Sequence, residues 1–80
     1  MIKKSISIKG HQTSIALEAD YWAALAEIAS AEALTLPKLI ARIDRERLKE
    51  DPPPGLASAL RVFVLRRTLT RRQSSVGDET

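Results

Sequence analysis

The 80-residue sequence predicts a mainly α fold that carries a short β-ribbon at its amino end. Three observations lead there. Apolar residues recur at every second position up to Leu17, and at three- and four-residue intervals beyond it. The run Pro52-Pro53-Pro54-Gly55 stops any helix and divides the helical part in two. The balance of 44% apolar and 29% charged residues is that of a folded chain.

The period-2 part falls into two stretches, Ser5-Ile6-Ser7-Ile8 and Thr13-Ser14-Ile15-Ala16-Leu17, both rich in β-branched residues. Their parity differs, with apolar residues at 2, 6 and 8 in the first and at 15 and 17 in the second. One regular strand cannot bury both sets. Lys9-Gly10-His11 lies between them, and its glycine permits a turn or bulge that resets the face. If the chain reverses at Lys9-Gly10, Ile6 stands opposite Thr13 and Ile2 opposite Leu17, so the isoleucines join the Ile15 and Leu17 face. Residues 1–11 are accordingly read as an arm or an extra strand.

A first helix is expected over about residues 19–32, from the spacing of Tyr21, Trp22, Leu25, Ile28 and Ala29, with Glu18 and Asp20 near its positive end. A second begins with Thr35 as N-cap and Pro37 in the first turn, and ends by Asp51. Its apolar stripe is Leu36, Leu39, Ile40 and Ile43. Residues 51–55 form a stiff proline linker. A third amphipathic helix follows in segment 56–70, with its body at about 57–69. Its stripe is Leu56, Leu60, Phe63 and Val64, with Leu65 a further candidate. The polar residues 71–80 are expected to be a disordered tail.

Size and charge narrow the function. A chain this short buries only about 60% of its unfolded surface, so a monomeric core is marginal. With no cysteine and one histidine, neither disulfides nor a histidine-cysteine zinc site can staple it. Oligomerisation remains. A lone amphipathic strand also needs a partner for its edges, which a second chain would supply as a two-stranded antiparallel ribbon. No catalytic residue, metal or cofactor is expected, because a pocket with converging polar groups has little room here. No apolar run approaches the roughly 18 residues of a membrane span, and Met1-Ile2-Lys3-Lys4-Ser5 leads into alternation instead of a signal-peptide block. A cytoplasmic protein is expected.

The net charge of +3 is zoned. Lys3, Lys4 and Lys9 stand in residues 1–17 without an acid, and Glu18, Asp20, Glu27 and Glu32 in 18–34 without a base. Arg61, Arg66, Arg67, Arg71 and Arg72 occupy 52–72, again without an acid. Basic zones on a small domain suit a polyanion. They equally suit a solvated surface, an acidic protein or an anionic membrane face. His11, alone beside a turn, is read as an exposed residue, and Tyr21 and Trp22 as core.

The order His11-Gln12-Thr13-Ser14-Ile15-Ala16-Leu17-Glu18, then Tyr21-Trp22-Ala23-Ala24-Leu25, then a helix opened by Thr35, resembles the ribbon-helix-helix DNA-binding proteins. This is the superfamily of the Arc and methionine repressors. The likeness covers residues 12–50. With Gly55-Leu56-Ala57-Ser58-Ala59-Leu60-Arg61-Val62-Phe63-Val64-Leu65, it looks like a short bacterial branch carrying an extra carboxy-terminal helix.

The resemblance implies an intertwined homodimer whose two-chain ribbon enters the major groove of double-stranded DNA to regulate transcription, as a repressor does. It implies base contacts from Gln12, Ser14 and Ala16, since a glutamine amide can pair with adenine N6 and N7, and alanine can touch a thymine methyl. Phosphate contacts fall to Thr35, Leu36 and Lys38 at the second helix's amino end, and to Lys9. The dimer core is expected from Ile15, Leu17, Trp22, Leu25, Ile28, Leu39, Ile40 and Ile43. Family members often carry arginine or lysine at the places of Gln12 or Ala16, and glycine at that of Ala33. An alanine forced into a left-handed conformation there costs roughly 1 to 2 kcal/mol. Three function classes follow: a DNA-binding regulator, an antitoxin-like protein whose residues 56–70 grip another protein, and a helical adaptor without a DNA role.

Overall fold

The computed structural model describes the backbone of residues 1–79 and the side chains of residues 1–71. Strands β1 (Ile2–Ile8) and β2 (His11–Leu17) form one antiparallel hairpin. Lys9 at φ 51° and Gly10 at φ 83° make the connecting turn. Two successive positive φ values mark the type I′ turn, whose twist matches that of the strands it joins. The register runs from Ile8 opposite His11 to Ile2 opposite Leu17, with Ile6 opposite Thr13, as the turn at Lys9-Gly10 requires.

The turn resolves the parity switch. Even positions of β1 share a face with odd positions of β2, and Ile6, Ile8, Ile15 and Leu17 are all buried there. The sequence leaves open both a hairpin at Lys9-Gly10 and a ribbon shared with a second copy, and the structure gives one of the two edges of β2 to β1. Residues 2–8 keep their alternation long enough to make seven pairs, so they are a strand and not a loose arm.

The three helices are α1 (Ala19–Ala31), α2 (Leu36–Arg47) and α3 (Leu56–Glu79). Helix α1 leans on β1 through Trp22. Its indole Nε1 donates to the Ile2 carbonyl at 2.9 Å, and Lys4 Nζ lies 5.5 Å from the centroid of its ring. Pulling β1 away would break this bond and the ladder, and expose Ile6 and Ile8 at about 1.5 to 3 kcal/mol each.

Helix α1 ends in a Schellman motif, in which Leu34 N–H donates to the Ala29 carbonyl at 2.8 Å and Ala33 N–H to that of Ser30 at 3.1 Å. The motif requires a left-handed residue at Ala33, and its φ is 56°. Leu34, turned inward by this reversal, packs against the core. Thr35 then caps α2, its Oγ1 accepting from Lys38 N–H at 3.3 Å.

All eight residues expected in a core shared by two chains are buried within one. Ile6, Ile8, Ala29, Leu60 and Val64 complete it. Helix α3 therefore serves as a lid on the hairpin and the helix pair. Its bounds pass the expected end of the third helix, and the expected tail at 71–80 falls, beyond Arg71, outside the residues whose side chains are described. Leu65 does not join the stripe and is 54% exposed. One residue past Val64, it turns about 100° around the helix and off the buried face.

Two ion-pair clusters fasten the lid. Arg61 reaches Glu18 with Nε at 3.0 Å and Nη2 at 3.3 Å, and lies 5.9 Å from the ring centroid of Tyr21. Arg67 and Arg42 meet at Glu32, at 2.6 and 2.8 Å, joining α3 and α2 to the end of α1. Hydrogen bonds from Arg42 and then Arg67 pull the Glu32 carboxyl down to about 2. The Arg61 guanidinium, after Glu18's own backbone amide, likewise lowers Glu18.

Two outcomes follow for stability. Ala33→Gly should raise it by about 1 kcal/mol, because glycine removes the left-handed penalty while keeping the Schellman bonds. Thermal melts check this, and an unchanged or lower Tm contradicts the strain. Glu32 titrates at about 2 in the fold against an ordinary 4.5, so its ion pairs stabilise fully above the ordinary value and are lost as pH falls through that window. The Tm gap between wild type and Glu32→Gln should be widest near neutrality and close as the pH falls from about 5 to 2. A gap independent of pH would mean that Glu32 acts by packing alone.

Candidate nucleic-acid interface

With the apolar residues of the hairpin turned to the helices, its other face is left polar. The register places Lys3 beside Ala16, Ser5 beside Ser14 and Ser7 beside Gln12 on that outward side. Lys3, Ser5, Ser7, Gln12 and Ser14 are exposed, whereas Ala16, near the base of the hairpin, is half-buried. Gln12 and Ser14 thus stand where the resemblance puts base readers, and Ala16 offers less surface than they do. Lys9 is exposed at the turn. His11 is exposed beside it.

Gln12 is engaged within the face. Ser5 Oγ donates to its Oε1 at 2.5 Å, a diagonal cross-strand bond. The amide nitrogen is left as the outward donor. Lys3, Ser5 and Ser7 are not among the expected site residues, because the sequence leaves residues 1–11 as an arm or an extra strand and the resemblance places base readers on residues 12–16 alone. The signal that places them is the same Ile6-to-Thr13 pairing that the turn at Lys9-Gly10 implies.

The expected phosphate site at the start of α2 is narrower than a bare helix terminus. Thr35 Oγ1 occupies the Lys38 N–H, and Pro37 has none. What an anion finds there is the Leu36 N–H, the helix dipole and the exposed Lys38 side chain.

The carboxy-terminal arginines divide into two groups. Arg61 and Arg67 are spent on Glu18 and Glu32. Arg66 and Arg71 are exposed and make no ion pair among the described residues. Arg72 has no described side chain. On the outer side of α3, Val62, Leu65 and Leu69 are 38%, 54% and 46% exposed. A groove of about 580 Å³ between α2 and α3 is lined in part by Ile43, Arg47, Val62, Phe63 and Arg66. Among the described residues, no helix is long and apolar enough to cross a membrane.

A β-ribbon with one polar face, followed by two helices joined through a tight turn, is the architecture of ribbon-helix-helix proteins. The ribbon-helix-helix domain family matches residues 1–68, and the chain belongs to it. The match takes in β1 and most of α3 as well as the β2-α1-α2 unit. The family is one of DNA-binding regulators. Comparison with curated proteins and with solved structures found no match.

Proposed function

We propose that this protein is a sequence-specific DNA-binding regulator of transcription, reading the major groove of duplex DNA with the outward face of its β-ribbon. The observation that carries the reading is that face itself. It holds Gln12 and Ser14 exposed on a strand whose other side buries Ile15 and Leu17, and the strand belongs to a family of DNA-binding regulators. Short polar side chains on a ribbon can reach base edges, and Gln12 and Ser14 offer donors and acceptors to them. Lys9 and the Thr35–Lys38 turn suit phosphates, and Arg66 and Arg71 add charge that positions without specifying. Acting as a homodimer, two copies present the same face to two half-sites.

The test is to select preferred duplexes for the purified protein and to compare variants on them. Gln12→Ala should cost about 1 to 3 kcal/mol per half-site on a preferred duplex and barely change binding to random DNA. Wild-type affinity should fall steeply with salt, as counterion release demands. A sequence preference untouched by Gln12→Ala and Ser14→Ala together would remove this face from recognition.

A second reading rests on α3. Val62, Leu65 and Leu69 recur at three and four residues along its outer side, with Arg66 beside them. That stripe suits an apolar helix with acidic flanks on another protein, as in an antitoxin-like or adaptor role. Leu65→Gln with Leu69→Gln should leave the fold and DNA affinity unchanged while releasing an acidic partner that co-purifies with wild type. Partner binding that survives both substitutions would sink the α3 reading.

A further inference from the structure

Strand β2 has two edges, and β1 holds one of them. The two-chain ribbon implied by the family likeness therefore forms along the other, where β2 meets β2 of a second copy. Each β1 then flanks that ribbon as an outer strand. At roughly 4.8 Å between neighbouring strands, β1 runs about 7 Å to the side of the ribbon's centre line. The major groove of B-DNA is about 12 Å wide, so its walls stand about 6 Å from the same line. The two reading strands fit between the walls, and each β1 falls on a wall. The walls are the phosphate backbones.

The structure keeps β1 in that place. Ile6 and Ile8 are 7% and 6% exposed, and Trp22 Nε1 donates to the Ile2 carbonyl at the amino end of the strand. The pleat then divides its two lysines. Lys4 lies on the side of the helices, its Nζ 5.5 Å from the centroid of the Trp22 ring, whereas Lys3 shares the outward face with Ser5, Ser7, Gln12 and Ser14. Lys3 is exposed and makes no ion pair among the described residues. No acid stands in residues 1–17 to compete for it. Ser5 spends its hydroxyl proton on Gln12 Oε1, so the outward donors that β1 offers are Lys3 and Ser7. Four residues apart on a strand, they are separated by roughly 13 Å and meet different phosphates.

We propose that the outward face of β1 is a phosphate-binding strip, with Lys3 and Ser7 of each chain seated on the two backbones that border the groove read by β2. The proposal rests on the DNA-reading function above and adds the contacts that seat the ribbon. Ammonium and hydroxyl donors suit phosphate oxygens and are indifferent to base identity. With one cation per chain, the strip's chief part is to position. Identical strips on both walls centre the ribbon between them, and short side chains such as Ser14 reach base edges only from a strand so held.

Salt dependence tests the strip. Each phosphate neutralised contributes about 0.9 to the slope of log affinity against log salt, and a dimer carries Lys3 twice. Lys3→Gln, at an exposed position, should make that slope shallower by about 2 and lower affinity for preferred and random duplexes by the same factor, with the selected sequence unchanged. Lys4→Gln is the control, because its ammonium faces the Trp22 ring and should leave the slope as it is in wild type. An unchanged slope in Lys3→Gln, or an equal change in Lys4→Gln, which would reflect net charge alone, overturns the strip. So does a shifted sequence preference in Lys3→Gln, which would make Lys3 a base reader.

Amide hydrogen exchange of the wild-type protein gives a second measurement. Residues 2–8 should exchange no faster in the DNA complex than in the free protein, since β1 stays paired on the wall. Faster exchange there would show that DNA displaces β1, and would overturn the proposal even if Lys3 touched phosphates from a loose arm. A wild type that binds no duplex removes the DNA-reading function and the strip together, a result distinct from a wild type that binds normally with a slope untouched by Lys3→Gln.

Discussion

The pairing of β1 with β2 is the constraint on which the rest of the molecule depends. A strand exposes two edges of unpaired backbone, and a short chain must satisfy at least one. The type I′ turn at Lys9-Gly10 does so locally, with a loop of two residues and hence little closure entropy. Because the turn also reverses parity, it brings four apolar side chains, Ile6, Ile8, Ile15 and Leu17, onto one face. That doubled face needs more cover than α1 and α2 provide. Helix α3 supplies it through Leu60 and Val64, fixed by Arg61 and Arg67 to the two ends of α1. Hairpin, lid and ion pairs are thus successive consequences of one turn.

What could be read from the sequence followed from periodicity. The strands, the three helices and the eight expected core residues all show the spacing that burial demands, and they sit where that spacing puts them. The left-handed Ala33 could be anticipated too, since α1 ends at Ala31 and the chain has to reverse between Glu32 and the Thr35 cap of α2. Less legible was the competition between intrachain and interchain pairing. A period-2 pattern states which face is buried but not which strand lies alongside. With residues 1–11 open between an arm and an extra strand, Lys3, Ser5 and Ser7 stay outside the expected site. Leu65 failed for a related reason: an apolar residue next to a stripe looks like part of it until the helix phase is fixed by Leu60 and Val64.

The arginines show how composition can mislead about function. Five of them between residues 52 and 72 look like one basic surface. Two are neutralised by Glu18 and Glu32, acids from a zone that carries no base of its own. The separation of acidic and basic zones along the chain is thereby explained, in part, as complementarity between α1 and α3 within the fold. Counting charge therefore overstates what is free to meet a polyanion, and Arg66 and Arg71 are the described arginines of α3 left for that task.

This division bears on how the outward hairpin face must work. It carries one cation, Lys3, among hydroxyls and an amide, with Lys9 at the turn. Phosphate contacts supply most non-specific affinity, whereas uncharged groups discriminate only once they are held against base edges. A face of this composition can select among sequences but contributes little to holding DNA. Holding has to come from charges that lie off the face, at Lys38 beside the α2 terminus and on α3. The two functions then reside on separable surfaces of one small fold, and the same α3 that covers the hairpin carries free charge on its outer side. An acidic protein seated on the Val62, Leu65 and Leu69 stripe would neutralise Arg66 beside it. It would weaken DNA affinity without touching a base-reading residue.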